Sequence, residues 1–324
     1  MTPPASTVVP RGSTASAFFY YFLGVFSFSV IDTSTKLLRG DPDTVTRWIP
    51  GNYDFGTWQI VLLTRIPPLL VGLLLTYQAT GSAFNLRTKF LKIHLMRGCF
   101  VLVTTYAFFA GLKYLPLADC VVIAFAAPIF VTALSGPLLR EKVGWQRWSA
   151  VAVGFVGVIV AVKPGGSIGI GSVLILVSAL SYALILISLR PLAGKESTHN
   201  IVFYSTVVTV LIAIVPALMD WKPVSWSAAG LMLVHGAASA IGQLAMIRAL
   251  RIGEASMLAP IEFTALIWAA AAGFAFWNDI PAWTVLVGAA LIIGANVYIA
   301  HRETRAAKRD RELAAVPEHA SLPE

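Results

Sequence analysis

Ten apolar runs of about 20 residues follow one another through this 324-residue chain, and that is the length at which a helix crosses a bilayer. They can be drawn at 17–38, 57–77, 94–113, 117–139, 146–163, 168–189, 200–220, 226–248, 254–277 and 281–301. Only 12% of residues are charged against 57% hydrophobic, where a soluble domain is about a quarter charged; mean hydropathy is +0.76. The expected fold class is therefore all-α integral membrane, with ten transmembrane helices. Lys and Arg number 24 against 16 Asp and Glu. They sit in short loops and a tail rather than on one face, which speaks for orientation in a membrane and against a nucleic-acid partner.

The loop charges alternate. One set holds Arg87, Lys89 and Lys92, then Arg140, Lys142 and Arg147, then Arg190 and Lys195, then Arg248 and Arg251, and the tail adds Arg302, Arg305, Lys308, Arg309 and Arg311. The opposite set holds only Arg39, Arg47, Lys113, Lys163 and Lys222. Basic loops stay on the cytoplasmic side, so both termini are expected there, in a multi-pass inner (plasma) membrane protein. Residues 1–14 and about 304–324 are polar and read as disordered tails, with the basic cluster at 302–311 against anionic headgroups. No cleavable leader is evident. Cys99 and Cys120 fall in apolar runs near opposite ends of neighbouring helices and are expected to remain free. The 39–56 loop carries Trp48 and Tyr53, with Trp58 beyond, and reads as an interfacial segment or a lid.

The two halves are related. AGLKYLPLADCVVIAFAAPIF before Glu141 has a looser counterpart in RALRIGEASMLAPIEFTALIW before Asn278 and Asp279, at an offset of about 137 or 138 residues. Each half then holds five helices. An odd number makes similar halves insert in opposite senses, and the charges place Glu141 and Asp279 on opposite sides. Two inverted five-helix repeats, at 15–163 and 168–301 between tails 1–14 and 302–324, are an architecture of secondary transporters, with the substrate held near the midplane between halves.

The blocks YLPLADCVVIAFAAPIFVTALSGPLLREKVGWQRW and FAFWNDIPAWTVLVGAALIIGANVYI resemble the EamA repeats of the drug/metabolite transporter superfamily over nearly the whole chain. Arg97-Gly98, Pro128 and the Arg140-Glu141-Lys142 turn match the first repeat. The second departs, with Asn278-Asp279 where many relatives have Glu and with Pro260 nearer its helix start than Pro128. FWNDIPAW looks closest to the branch holding bacterial S-adenosylmethionine transporters and the G subgroup of solute carriers related to nucleotide-sugar transporters. The resemblance implies metabolite transport by alternating access.

Charged groups inside spans cost roughly 2.5 to 3.5 kcal/mol each on insertion scales and need a partner or a wet cavity. Asp32 and Lys36 are four apart on one helical face, as an ion pair or as cavity-facing groups. Arg65, before Pro67 and Pro68, has a depth similar to that of Asp32, which suits either a structural bridge or a transport role. Arg97 lies where its head can reach the headgroups or a structural partner. His235 and Gln243 share a face of the eighth helix, and Glu262 lies about a third of the way through the ninth. Tyr106, Tyr182 and Trp268 are placed either to line a cavity or to pack. Pro128 and Pro260 free carbonyls one turn earlier, as hinges or packing kinks.

No Walker A loop, His-x-x-x-His or clustered Cys/His pattern is present, and no catalytic residue, metal or cofactor is expected. A membrane enzyme or receptor is the distant rival. The expected substrate is a small polar metabolite: Lys36, Arg65 and Arg97 outnumber Asp32 and Glu262, which favours an organic anion or a zwitterion held by its carboxylate, most directly through Arg65. An S-adenosylmethionine or amino-acid type of substrate is the alternative, with Glu262, Asp32 or Tyr106 facing a sulfonium. Asp32, Glu262 and His235 are the candidates for a coupled proton. Partners are that metabolite and the lipid bilayer, and a homodimer is left open.

Overall fold

In a computed structural model, residues 14–40, 53–81, 88–139, 145–162, 169–192, 195–253 and 255–314 are described, and all regular structure among them is helical. The helices are α1 (Thr14–Arg39), α2 (Thr57–Thr64), α3 (Ile66–Thr80), α4 (Leu91–Gly111), α5 (Leu117–Ala124), α6 (Ala127–Leu139), α7 (Trp145–Ala161), α8 (Ile170–Ile187), α9 (Thr198–Met219), α10 (Trp226–Ile252), α11 (Ala255–Glu262), α12 (Thr264–Trp277) and α13 (Trp283–Ala314). Nine helical stretches among the described residues are long and apolar enough to cross a membrane. A tenth, α7, is apolar and 17 residues long, the short end of the spanning range.

Three of the expected spans are not single helices. The second is interrupted at Arg65, the fourth at Phe125 and Ala126, the ninth at Phe263. Proline explains two of them. Pro67 and Pro68 have no N–H for the carbonyls one turn back, so α2 closes on a tighter bond from Arg65 N to Leu62 O, and α3 starts with proline in its first turn. Pro128 sits just inside α6 and has no N–H for Ala124 O one turn back; at this break Phe125 O accepts from Asn296 Nδ2 of α13 at 3.0 Å. Pro260 instead lies inside α11, which ends two residues later at Glu262. Proline alone does not break a helix here, since α9 runs through Pro216.

The tail expectation also changes. Residues 302–314 continue α13 as helix rather than being disordered from about 304, because Arg, Lys, Glu and Ala are strong helix formers and the span supplies the nucleus. The 41–52 segment and the Arg140-Glu141-Lys142 turn lie outside the described residues. So do the first 13 residues and those after 314.

Contacts between loops define two faces of the bundle. At the distal face, where α1 ends, Lys36 reaches the turn before α5 and the turn before α13, Arg39 reaches Phe55, and Asp54 meets Lys222. At the proximal face, where α1 begins, Ala17 lies under Gly253, and Thr88 and His94 meet Glu196. Helix α1 packs on α10, α4 on α8, and α7 on α13, while α9 lies against α2, α3 and α4. Helix α5 is buried from Leu117 to Ile123 and fills the centre. Both cysteines are free.

Small residues set the closest crossings. A Cβ at Gly288 of α13 would lie 2.7 Å from Ala161 Cβ and from Gly157 O, whereas Gly294 on the same helix faces open space. Gly288→Ala should therefore destabilise by about 1–3 kcal/mol through overpacking, and Gly294→Ala should be neutral or better. Thermal unfolding in detergent checks both; equal behaviour of the two would contradict the close α7–α13 crossing.

Candidate substrate site

Helix α4 packs on α8 and α1 on α10; the interrupted α2–α3 lies against α4 and α10, and the interrupted α11–α12 against α1. Arg65 lies at the α2–α3 break, about 12 Å along the span from the start of α2 at 1.5 Å per residue. Its Nη2 donates to Thr105 Oγ1 of α4, and its Nε is buried with no acceptor. His235 of α10 is within Coulombic range of that guanidinium. Its Nδ1 is 3.1 Å from Ser34 Oγ and 3.3 Å from Thr35 Oγ1. Both hydroxyl protons already go to Ile31 O, so Nδ1 carries the proton and donates, which leaves Nε2 as an acceptor. Phe109 meets the imidazole edge-on at 5.9 Å.

Tyr106, one residue beyond Thr105, packs against Trp58 with ring centroids 4.2 Å apart and planes tilted by 33°. Trp58 is thus an interior ring rather than an interfacial one. Tyr53 is likewise buried, stacked on Phe55. Their neighbour Phe55 is tied to α1 by Phe55 N donating to Leu38 O and by Arg39 Nη1 donating to Phe55 O.

Lys36 is placed differently from either sequence expectation. It is 7% exposed and pairs with Asp279, 3.3 Å away, not with Asp32. It also donates to Leu115 O at 3.1 Å and lies 4.8 Å from the Trp277 ring centre. One ammonium thereby joins α1, the α4–α5 turn and the α12–α13 turn at the distal end. Asp32 makes neither the expected bridge to Arg65 nor a pair with Lys36; it is half-buried and within Coulombic range of Cys120. An i to i+4 pair on one helix is not formed because Lys36 extends beyond its own helix to a carboxylate from the other half. Beside it, Gln59 holds Lys222 by both backbone groups, at 2.8 and 3.0 Å, and Lys222 Nζ meets the Asp54 carboxylate at 2.9 Å.

The proximal face has its own polar centre. Arg97 is buried and donates to Ile185 O at 2.7 Å and to Ser188 Oγ at 3.1 Å, so it anchors α4 on the C-terminal end of α8 rather than reaching headgroups. A turn earlier, His94 Nε2 lies 3.2 Å from Glu196, which also accepts from Thr88 Oγ1, Ser197 N and Asn200 Nδ2. Tyr204 stacks on the His94 ring at 4.9 Å. Burial pushes the Glu196 carboxyl up, but hydrogen bonds from Thr88, Asn200, Ser197 and His94 outweigh it and hold the pKa down at about 2.

The remaining candidates are dispersed. Tyr182 of α8 and Glu262 at the end of α11 are exposed and within Coulombic range of each other. Trp268 packs edge-on against Phe22 and Phe26 of α1, its Nε1 buried and without an acceptor. Gln243 is half-buried, two turns after His235. Sequence reasoning missed Thr105, Trp58, Asp279 as the partner of Lys36, and the His94–Glu196 pair. No spacing rule links residues that meet only when separate helices pack.

Residues 15–163 match the EamA-like transporter family. The resemblance read from the sequence motifs holds, and the chain is similar over most of its length to proteins named as transporters. A protein named S-adenosylmethionine uptake transporter from Rickettsia prowazekii is 28% identical over 70% of this chain and 78% of its own. A riboflavin transporter from Vibrio cholerae is 26% identical over 78% of this chain and 86% of its own. A pseudopaline exporter from Pseudomonas aeruginosa is 28% identical over 70% of this chain and 81% of its own. A solved crystal structure shares the fold with a TM-score of 0.56 at 18% identity, covering 90% of this chain and 99% of that one. The chain is a multi-pass membrane protein of transporter type.

Glu196 provides a pH test of the proximal centre. Its folded pKa is below the ordinary 4.5, so its ionised network adds stability above about pH 4.5 that fades as pH falls toward about 2. Glu196→Gln should cost about 1–3 kcal/mol near neutral pH, with the gap to wild type narrowing over that acid window. Parallel melting curves across pH check it, and a gap independent of pH would contradict the charged network.

Proposed function

We propose that this chain is a secondary transporter of the inner membrane that moves a small polar metabolite with a carboxylate, an organic anion or a zwitterion, by alternating access. The observation that carries the reading is Arg65: a guanidinium at a helix break deep in the bundle, bonded to Thr105 and beside His235, with a buried Nε that has no protein acceptor. A carboxylate is the group that matches such a fork. S-adenosylmethionine, which carries a carboxylate and a sulfonium, is a specific alternative supported by the Rickettsia relative.

The two halves, 15–163 and 168–301, are read as inverted five-helix repeats flanked by tails at 1–14 and 302–324, with both termini cytoplasmic. Several features support this. The interruptions at Phe125 and Phe263 are 138 positions apart, as are Glu141 and Asp279. The two phenylalanine rings touch, with centroids 5.3 Å apart, as equivalent residues beside a pseudo-two-fold axis do. Helix pairing follows the same rule: α1 on α10 is the counterpart of α8 on α4, and α7 pairs with its own counterpart α13. On this topology the distal face is external, and the Lys36–Asp279–Leu115 cluster is the external closure, which must open when the site faces outward.

Two measurements test the proposal. In proteoliposomes, Arg65→Lys keeps the charge but loses the fork and should lower flux about tenfold or more, the scale of one charged hydrogen bond, whereas Lys195→Arg in a proximal loop should transport as wild type. Normal transport by Arg65→Lys, together with stabilisation only by cations lacking a carboxylate, would remove the anion site. Asp279→Asn should increase external labelling of a cysteine at Thr105 by an impermeant thiol reagent; unchanged labelling would show that Lys36 does not hold the external side closed.

A further inference from the structure

The α4–α8 pair and the α10–α1 pair make the same contacts at equivalent positions. Arg97 of α4 donates to Ile185 O at 2.7 Å and to Ser188 Oγ at 3.1 Å, and Ser188 Oγ itself donates to Ile185 O. His235 of α10 stands 138 positions after Arg97. Its Nδ1 donates to Ser34 Oγ at 3.1 Å, and Ser34 Oγ donates to Ile31 O; Ile31 and Ser34 stand 154 positions before Ile185 and Ser188. Mid-helix, Ser178 Oγ donates to Thr104 O at 2.9 Å, and a Cβ at Gly24 would lie 3.5 Å from Gly242 O. At the far end a Cβ at Gly171 would lie 2.9 Å from Leu115 Cγ, and one at Gly253 would lie 3.0 Å from Ala17 Cβ. All three correspondences follow the same two offsets, 138 for α4 and α10 with their following turns, 154 for α1 and α8. Both polar contacts are also followed by a glycine at a close crossing: Gly98 against Val208 of α9, and Gly236 against Pro67 of α3.

We propose that Arg97 and His235 are equivalent positioning residues. Each clasps a helix of its own half to a helix of the other, so that α4 with α8 and α10 with α1 persist as two units while access changes between them. The proposal rests on the inverted-repeat and alternating-access reading above. When two such repeats exchange conformations, a contact made by both at once maps onto itself and need not break. A contact between the units must break instead, and Lys36 donating to Leu115 O is one, since it joins α1 to the turn after α4. The clasps differ in charge for a physical reason. Arg97 holds α8 with a guanidinium, as suits a carbonyl and a hydroxyl at the end of a helix. His235 holds α1 through Nδ1–H of a neutral imidazole, which adds no second cation near Arg65, two residues before the Pro67 that Gly236 abuts. Both residues act through the helices they fasten rather than by touching substrate.

The test is pulsed electron–electron resonance on the full chain in lipid nanodiscs, with Cys99→Ser and Cys120→Ala and pairs of nitroxide labels chosen from Ala15→Cys, Lys92→Cys, Ile170→Cys and Trp226→Cys, four exposed positions. The 15–226 distance runs along the α1–α10 unit and 92–170 along the α4–α8 unit; 15–92 and 170–226 run between units at the proximal and distal faces. Both distances within units should be single and narrow. His235→Ala should broaden 15–226 and leave 92–170 unchanged, and Arg97→Ala should do the reverse. His235→Asn, whose Nδ2 stands where Nδ1 does, should restore the narrow 15–226 distribution, as a side chain that merely fills space would not. If an alanine variant fails to fold, Ser34→Ala and Ser188→Ala, each removing one acceptor, decide in the same way. Lys36→Ala, which releases the distal contact, should shift 15–92 and 170–226 and leave both distances within units in place. Broadening of both units alike or of neither by the clasp variants, or a shift within units as large as that between them in Lys36→Ala, overturns the proposal. Selective broadening by the clasp variants with no shift between units in Lys36→Ala leaves the clasps standing and removes the distal-closure reading, so the two failures are distinct.

Discussion

Within a bilayer the main chain has nothing to hydrogen-bond but itself, and every feature of this protein follows from how that requirement is met or locally suspended. Most of the chain meets it by continuous helix. Where proline or a helix end suspends it, the structure supplies another partner or opens a polar space. Phe125 O, at the interruption between α5 and α6, accepts from Asn296. The α2–α3 interruption ahead of Pro67 carries Arg65, whose guanidinium is directed to Thr105. The α11–α12 interruption carries Glu262. Two of the interruptions thus carry an ionisable group, one of each sign.

The same economy of charge shapes the two ends of the cavity. At the distal face Lys36 links segments of the first half to Asp279 and Trp277 of the second. At the proximal face Glu196 of the second half is bonded by Thr88 and His94 of the first. Removing one partner leaves the other without its hydrogen bonds, at a cost of about 1–3 kcal/mol. Such contacts can therefore hold one arrangement of the halves against another, provided that the lost partner is replaced in the alternative state. Packing around them is rigid: Gly98 abuts Val208, Gly111 abuts Ile175 and Gly288 abuts Ala161, so helices at these crossings move as units rather than by bending side chains out of the way.

Substrate chemistry follows from the separation of the two poles. A single cationic pocket would select anions and a single acidic one cations. Arg65 beside Thr105 and Glu262 at the end of α11 carry opposite charges on separate helices. Relatives named for S-adenosylmethionine, riboflavin and pseudopaline show how varied the cargo of similar chains is. Fold alone therefore decides little, and the few polar side chains facing the cavity decide much.

The sequence by itself determined the membrane class and the all-helical fold with about nine to ten spans, because both rest on local composition and run length. It also picked out Asp32, Lys36, Arg65 and Glu262, since a charge in an apolar run is conspicuous wherever it points. Tertiary structure alone decided what those charges meet. Lys36 could have paired with Asp32 on its own helix and instead reaches Asp279, 243 residues away; Arg65 meets Thr105 rather than Asp32; Arg97 ends on α8. Trp58 looked interfacial because it follows a polar loop, and only the packing of α2 on α4 places it on Tyr106. The helical extension to Ala314 is a case of local propensity outweighing polarity. The physical reason for the divide is that burial and depth are properties of one helix in a bilayer, readable from its residues, whereas an ion pair or hydrogen bond between helices depends on rotation and register, which are fixed only when the whole bundle packs.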